Sequence, residues 1–353
     1  MPSIERVRLM PPVLIALLGC AWPFIKSLGD VQRDIDAIEL HCGMRAITTN
    51  IGKLGMMCIG LDKKQGDDQD IATDVGLQTH LSMLMRVRAR GLCWSAQECK
   101  TLIWTGRAQT GRDKEHPGGD IRNPKVKNAN RQVACLVIVL VLAWLRDVST
   151  CSENPSSTLL HLLKPYADWL QFVCGGARAT RTYMGAFAGE TPKPLHLWGN
   201  WCMTRRMQRT SPAECSKRLV DKGKRWTNGK QADLAASAAY TDEFGHEVAR
   251  LLAEDLNPAS PHTGLLAHFS KKQQNPSWDE IVGVVDALIA SLTKTEFYNM
   301  DLDNIIQHIQ GPQTTKITNK RFQPKDSTPT RRCSRKTTCL DVSDEEAELG
   351  NVA

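Results

Sequence analysis

The chain has 353 residues and a net charge of +7, and hydrophobic residues make up 41% of it, which is ordinary for a globular protein with a sizeable core. Aromatic residues account for only 6%, and acidic residues are spread along the whole sequence. A nucleic-acid-binding protein usually carries a denser basic stripe interleaved with aromatic side chains. The composition therefore predicts a globular protein without a nucleic-acid partner.

The first residues have the layout of a secretory signal peptide. Arg6 and Arg8 form a positively charged region, residues 11–18 form a short apolar core, and small residues precede Trp22. This pattern is too short for a membrane span and is typical of a cleaved leader. We expect residues 1–21 to be removed and the remaining chain to be secreted or displayed at the cell surface.

Two other interpretations of this segment stay open. It can be the buried N-terminal helix of a cytosolic protein. Residues 17–20 also resemble a bacterial lipobox, in which Cys20 would carry the lipid. Leu18 is an uncommon residue at its position in that motif.

Residues 31–84 predict a long antiparallel helical hairpin. Apolar residues recur at three- and four-residue steps over residues 31–58, with Asp30 as a possible cap, and again over residues 71–84. A Gly-Asp-Asp breaker at residues 66–68 separates the two segments. Each helix would cover the apolar stripe of the other.

The next segment predicts a surface loop followed by a buried element. Residues 105–131 are polar and rich in Gly and Asn, which indicates a long loop, whereas residues 133–145 are an unbroken apolar run. This run is shorter than the roughly 20 residues that a helix needs to cross a bilayer. Its β-branched content permits a strand, but we favour a helix that is buried on all sides.

Further helices are predicted over residues 159–173, 231–256, 281–292 and 305–309. Ser211 and Ser277 are N-cap residues with a Glu three residues later, and Gly175 ends the first of these helices. Strand signals are scarce. The predicted fold class is therefore mainly α: an elongated, disulfide-stabilised helical bundle that opens with the hairpin.

The predicted domains are a signal peptide (1–21), a helical ectodomain (22–310) and a tail (311–353). The tail is rich in Thr, Lys, Pro, Gln and Ser and has almost no apolar periodicity. A segment of this composition cannot bury enough surface to become ordered, so we expect it to be disordered.

Eleven cysteines remain after the predicted cleavage, and an oxidising compartment makes them candidates for disulfide bonds. Their number is odd, so at least one stays unpaired or pairs with another molecule. Two pairs share a six-residue separation, Cys93/Cys99 and Cys333/Cys339, but the connectivity cannot be deduced from the sequence. The candidates are Cys42, Cys58, Cys93, Cys99, Cys135, Cys151, Cys174, Cys202, Cys215, Cys333 and Cys339.

No catalytic, cofactor or metal site is predicted. His246-Glu247 resembles the start of a zinc-protease helix, but Arg250 stands where the second histidine is required. The oxygen ligands around Asp301 lack the Gly and the terminal Glu of a calcium loop. Fingerprints of nucleotide-binding loops and of serine hydrolases are missing. We therefore expect a protein that is not an enzyme and has no cofactor.

This organisation resembles that of trypanosome variant surface glycoproteins, in which a signal peptide precedes a helical domain, a hydrophilic linker and a C-terminal cysteine pair. The resemblance covers the whole chain and includes no diagnostic motif. It implies an elongated coat protein that shields the cell sterically and antigenically. Such proteins often dimerise through their long helices, are held by a glycosylphosphatidylinositol anchor, and are bound by host antibodies.

The C-terminal residues do not carry the apolar tail that anchor attachment requires. A secreted or lipid-anchored helical protein that binds a host or nutrient ligand is therefore the alternative. A secreted hydrolase is a further alternative, which the missing motifs disfavour.

Overall fold

A computed structural model describes residues 3–189, 193–210, 239–257 and 276–310, which all belong to the unit formed by residues 1–313. The predicted mainly α class is wrong. Six strands form one mixed sheet with helices on both faces. The strands are β1 (Ile35–Leu40), β2 (Cys58–Leu61), β3 (Val87–Ser95), β4 (Ser149–Pro155), β5 (Thr180–Tyr183) and β6 (Pro194–Trp198).

The described residues form ten α-helices. They are α1 (Ile4–Arg8), α2 (Pro12–Leu28), α3 (Ala46–Lys53), α4 (Asp74–Met85), α5 (Arg107–Thr110), α6 (Pro124–Leu145), α7 (Lys164–Cys174), α8 (Asp242–Leu256), α9 (Trp278–Ser291) and α10 (Leu302–Gln310).

The strand order is β2-β1-β3-β4-β6-β5. The first four strands in this order are parallel, whereas β6 lies antiparallel to both β4 and β5. Helices connect the parallel strands, as such crossovers require. The result is an open, doubly wound sheet that contains one inverted strand.

Two hydrophobic cores lie on opposite faces of the sheet. On one face, here called the α3 face, α3 and α8 cover side chains such as Leu92 and Trp94. On the other, here called the α6 face, the helices α2, α4, α6, α7, α9 and α10 cover side chains such as Ile38 and Cys93. Gly245 of α8 allows close packing on α3, because a Cβ atom there would lie 2.5 Å from the Ala46 carbonyl oxygen.

The predicted helical hairpin is absent. Residues 31–58 hold β1, α3 and the first residue of β2 instead of one helix, although α4 does lie where the second helix was predicted. Ile35, Ile38 and Leu40 of β1 are buried on the α6 face, and Ala37 is buried on the α3 face. A strand that is covered on both faces does not alternate between apolar and polar residues. The spacing of its apolar residues therefore matched that of a helix. The long helices through which a dimer was expected are missing with it.

The buried helix predicted at residues 133–145 is confirmed as part of α6. The Asn123 side chain caps this helix by accepting the backbone N–H of Lys125, and Pro124 occupies the first turn. Residues 133–145 are all buried. By length and composition alone α6 could cross a membrane, but 89% of its most apolar window is buried inside the protein, as in the core helix of a soluble domain.

The loop predicted at residues 105–131 is only partly correct. This segment contains α5 and the first turns of α6. Arg112 is 1% exposed and donates a hydrogen bond of 2.8 Å to Asn130 Oδ1. The segment is therefore anchored to the core through a buried guanidinium and is not a free surface loop.

The later helix signals agree with the structure where it describes them. Gly175 ends α7 with a φ of +73°, and Ser277 and Glu280 form a reciprocal capping box at α9. Asp301 accepts the Asn304 N–H at the start of α10. The signal at Ser211, most of the segment 231–241 and the predicted tail lie outside the described residues.

The predicted disulfide stabilisation is wrong for the described residues, whose cysteines are all free thiols. Cys93 is buried in the α6-face core, whereas Cys99 lies beyond the end of β3, so the chain carries the two apart. The free thiols are Cys20, Cys42, Cys58, Cys93, Cys99, Cys135, Cys151, Cys174 and Cys202. The candidates Cys215, Cys333 and Cys339 lie outside the described residues.

The predicted signal peptide contributes α1 and most of α2. Leu14, Leu17 and Leu18 are fully buried in the α6-face core. Within α2, Trp22 Nε1 donates to Asp286 Oδ1 at 2.8 Å, which ties this helix to α9. Cleavage before Trp22 would remove these leucines from the core. Whether the chain is processed stays a prediction.

We expect Leu14→Ala to lower the free energy of unfolding of the full-length protein by about 2–5 kcal/mol, because it opens a cavity in the core. The matched control is Leu9→Ala, since Leu9 is 75% exposed, and this change should be nearly neutral. Urea denaturation followed by circular dichroism measures both. Equal stability of the two variants would contradict this role of α2. In a secretory host, a mature chain that starts at Trp22 would contain neither residue.

Candidate cofactor site at the carboxyl edge of the sheet

The sheet has a topological switch point between β1 and β3. The chain leaves β1 toward β2 on one side, and it leaves β3 toward β4 on the other. In doubly wound sheets, the loops that leave the two strands in opposite directions open a crevice at their carboxyl ends, and ligands bind there. The side chains around this crevice are therefore the first candidates for a ligand-binding site.

The loop after β1 is a short turn that starts α3. Its residues 41–45 read His-Cys-Gly-Met-Arg, in which Gly43 has a φ of +50° and Arg45 a φ of +58°. Nucleotide-binding turns usually place glycine at such positions. Here the Arg45 guanidinium bonds to the Gly60 carbonyl at 3.1 Å and to Gln65, and these contacts hold the left-handed conformation.

Asp62 follows β2 and faces this turn. Its Oδ2 accepts the Gly43 backbone N–H at 2.9 Å, and its Oδ1 accepts the Lys64 N–H at the same distance. The side chain is 8% exposed. An acidic residue about 20 positions after the glycine turn is the group that bonds ribose hydroxyls in such folds. Asp62 comes 19 positions after Gly43.

Glu39 occupies the N-terminus of α3 from inside the sheet. Its Oε2 accepts the Thr48 backbone N–H at 2.8 Å and the Thr48 hydroxyl at 2.5 Å. Burial raises the pKa of this carboxyl to about 7, although the bonds from Thr48 offset part of the effect. A helix N-terminus is a ready anion site. In α3 an internal carboxyl already uses it.

A second buried carboxyl, that of Glu153, lies near the end of β4, and the Cys99 thiol follows β3. Glu153 Oε2 accepts the Tyr240 hydroxyl at 2.6 Å, and that hydroxyl accepts the Trp94 indole N–H at 3.2 Å. Burial raises the pKa of Glu153, and the charge of Lys193 opposes this shift. Burial and Glu153 together raise the pKa of the Cys99 thiol. The thiol is therefore protonated at neutral pH.

Buried polar atoms without a hydrogen-bond partner gather at this edge. Among the described residues they include the second carboxyl oxygens of Glu39 and Glu153, Gln97 Oε1, Asn154 Oδ1 and both ring nitrogens of His41. Burial lowers the pKa of His41 to about 4, so its ring is neutral under ordinary conditions. Buried polar groups in native proteins are normally paired. Unused acceptors at the switch point therefore fit a polar ligand.

The sequence analysis identified Cys42 and Cys99 near this edge, each as a candidate for a disulfide bond. It missed Glu39, Asp62 and Glu153. The available signal was a short apolar run that ends in an acidic residue, as in residues 58–62. His246 is exposed on α8, and Asp301 caps α10. Among the described residues, no three His, Cys, Asp or Glu side chains are grouped so that they could hold a metal ion.

Comparison with known proteins gives no relative: no family model, no curated protein and no solved structure matches this chain.

We expect Glu39→Gln to change the pH dependence of stability. The folded pKa of Glu39 is about 7, above its ordinary value of 4.5, so the folded state keeps a proton that the unfolded state has lost. Stability is therefore full below pH 4.5, falls as the pH rises to 7 and stays low above it. The variant should match the wild type at pH 4 and exceed it by about 3 kcal/mol at pH 8.

Urea denaturation at both pH values measures this difference. Glu98→Gln is the control, because Glu98 is exposed and pairs with Lys63 at the surface. Parallel stability curves of Glu39→Gln and the wild type would show that the Glu39 carboxyl does not carry this burial cost.

Proposed function

We propose that the protein binds S-adenosylmethionine at the crevice between β1 and β3 and transfers its methyl group to an acceptor. The observation that carries this proposal is the strand order β2-β1-β3-β4-β6-β5 with β6 alone inverted. Many methyltransferases share an open parallel sheet with one strand inserted antiparallel near its edge. The sheet that binds nicotinamide dinucleotides is mostly parallel. Among the described residues, β2 is the edge strand on this side of the sheet.

The adenosine part of the cofactor would contact the turn after β1 and Asp62. The carboxylate of Asp62 lies next to the Gly43 backbone. Each carboxylate oxygen has more than one lone pair, so it can accept a ribose hydroxyl in addition to its present bond. This pairing supports an adenosine ligand without specifying the rest of the cofactor.

Glu39 favours S-adenosylmethionine over a dinucleotide. A pyrophosphate needs the free N–H groups and the positive end of a helix dipole. The Glu39 carboxyl already bonds the Thr48 N–H at the start of α3 and places acidic oxygens there. Such a site repels a pyrophosphate and tolerates a sulfonium cation or an ammonium group. Bound S-adenosylmethionine would supply an electrophilic methyl group.

The acceptor side of the crevice would be formed by Glu153 and Cys99. A carboxyl whose pKa is raised by burial holds its proton more tightly than a surface carboxyl does, which suits general acid–base work. Its bond from Tyr240 fixes one oxygen and leaves the other without a partner among the described residues. Glu153 is therefore the side chain that we expect to move a proton on the acceptor.

The surface-coat hypothesis and the expectation of a non-enzyme stay untested predictions. The coat hypothesis was argued from a helical hairpin, and the described residues form a sheet in that place. For this reason we develop the cofactor proposal instead.

Isothermal titration calorimetry of the full-length protein with S-adenosylmethionine tests this proposal. We expect a Kd of roughly 1 μM to 1 mM, the usual range for an enzyme ligand, and no binding of NADPH. Asp62→Ala should weaken binding at least about tenfold, because it removes a hydrogen bond to a charged acceptor. Asp67→Ala is the control, since Asp67 is exposed in the same connection.

Folding of each variant is checked by circular dichroism before titration. The proposal fails if the folded wild type does not bind S-adenosylmethionine, if NADPH binds more tightly, or if the Asp62 and Asp67 variants bind equally well.

A further inference from the structure

Four exposed cations lie on two loops, helix α5 and strand β5 around the acceptor side of the crevice: Lys100, Arg107, Lys114 and Arg181. We call them the basic rim. None of them forms an ion pair with a described residue, whereas neighbouring charges are paired, as Glu98 is with Lys63. The rim is therefore a local excess of positive charge that this part of the chain does not neutralise.

Two members of the rim lie against aromatic rings. The Arg107 guanidinium is 4.6 Å from the centre of the Trp104 ring, and that of Arg181 is 5.3 Å from the Tyr183 ring. Trp104 is 37% exposed, which is unusual for a large apolar side chain and leaves part of its ring open to a ligand. Exposed arginine–aromatic pairs bind unstacked bases through stacking and their phosphates through charge.

Contacts between the loops bring the rim to the acceptor side of the crevice. The backbone N–H of Trp104 donates to the Ser157 carbonyl at 2.9 Å, which joins the loop after β3 to the loop after β4. Lys100 directly follows Cys99.

Lys114 and Arg181 each lie near one of two histidines, His161 and His196, that contact the same tryptophan ring. The charge of Lys114 acts on His161, and the charge of Arg181 acts on His196. Both imidazoles contact the Trp198 ring, with centroids at 5.7 and 5.3 Å.

This pair of histidines lies beside β4 on the α6 face of the sheet, whereas the Glu153 side chain bonds Tyr240 on the α3 face. His196 pairs in register with Asn154, the residue after Glu153. The Nδ1 atoms of His161 and His196 have no hydrogen-bond partner among the described residues.

We propose that the basic rim binds a single-stranded nucleic acid, with its phosphates on the four cations and a base stacked on Trp104. The strand would then be the methyl acceptor, so this inference rests on the proposed function and names its substrate class. A single strand fits better than a duplex, because only an unstacked base can use an aromatic platform.

Fluorescence anisotropy of the full-length protein with a labelled single strand of about 20 nucleotides tests the rim. We expect Arg107→Ala/Arg181→Ala to weaken binding at least about tenfold. The slope of log K against log salt should also become shallower by about 1.4, since each lost phosphate contact removes about 0.7. The control is Arg8→Ala/Lys294→Ala, which removes the same charge from exposed residues elsewhere.

A second variant separates base stacking from attraction to any polyanion. Trp104→Leu should weaken binding of the single strand about 5- to 100-fold and leave binding of heparin unchanged. All variants keep the basic residues beyond position 310, so binding by that segment would be the same in each.

The rim proposal is overturned if the wild type does not bind the strand, or if the two double variants bind it equally well. It is also overturned if Trp104→Leu has no effect, because the surface would then attract any polyanion. Calorimetry with S-adenosylmethionine is run on the same samples. Loss of cofactor binding with intact strand binding would refute the proposed function alone.

Discussion

The central strands are buried on both faces, and this constraint determines most of the structure. Parallel strands need crossover helices, and both faces of such a sheet must be covered. On the α6 face this takes helices from both ends of the described chain, since α2 and α10 pack there with α6. The apolar length of α6 follows from its place between β3 and β4 and needs no membrane.

Glu39 connects this fold to the ligand that it can accept. The residue pairs in register with Trp94, and its carboxyl lies under the start of α3. A buried carboxyl is costly unless its oxygens are bonded. Thr48 bonds one of the two oxygens, and this contact uses one backbone N–H at the start of α3 that a phosphate would otherwise accept. The same Glu39–Thr48 contact therefore ties α3 to β1 and underlies the proposed preference against a pyrophosphate.

How much could be predicted from the sequence depends on how local each signal is. The capping box at Ser277 and the apolar run of α6 involve neighbouring residues, and both helices were predicted. β1 was missed because burial on two faces removes the alternation that marks a strand. The site combines Glu39, Asp62 and Glu153 from three strands, so no stretch of sequence contains it. The cations of the proposed basic rim likewise come from separate segments, so no single stretch of sequence contains them.

The N-terminal residues contribute a large share of the α6-face core. Cys93 and Cys135 are fully buried, and burial raises the pKa of each to about 12, so both are unreactive in any redox environment. Val7, Met10, Val13, Leu14, Ile15, Leu17 and Leu18 precede the predicted cleavage point and are buried. Their removal would cost roughly 1.5–3 kcal/mol each, which together reaches the net stability of a typical domain, about 5–15 kcal/mol. Cleavage before Trp22 would therefore remove a large part of the α6-face core described above.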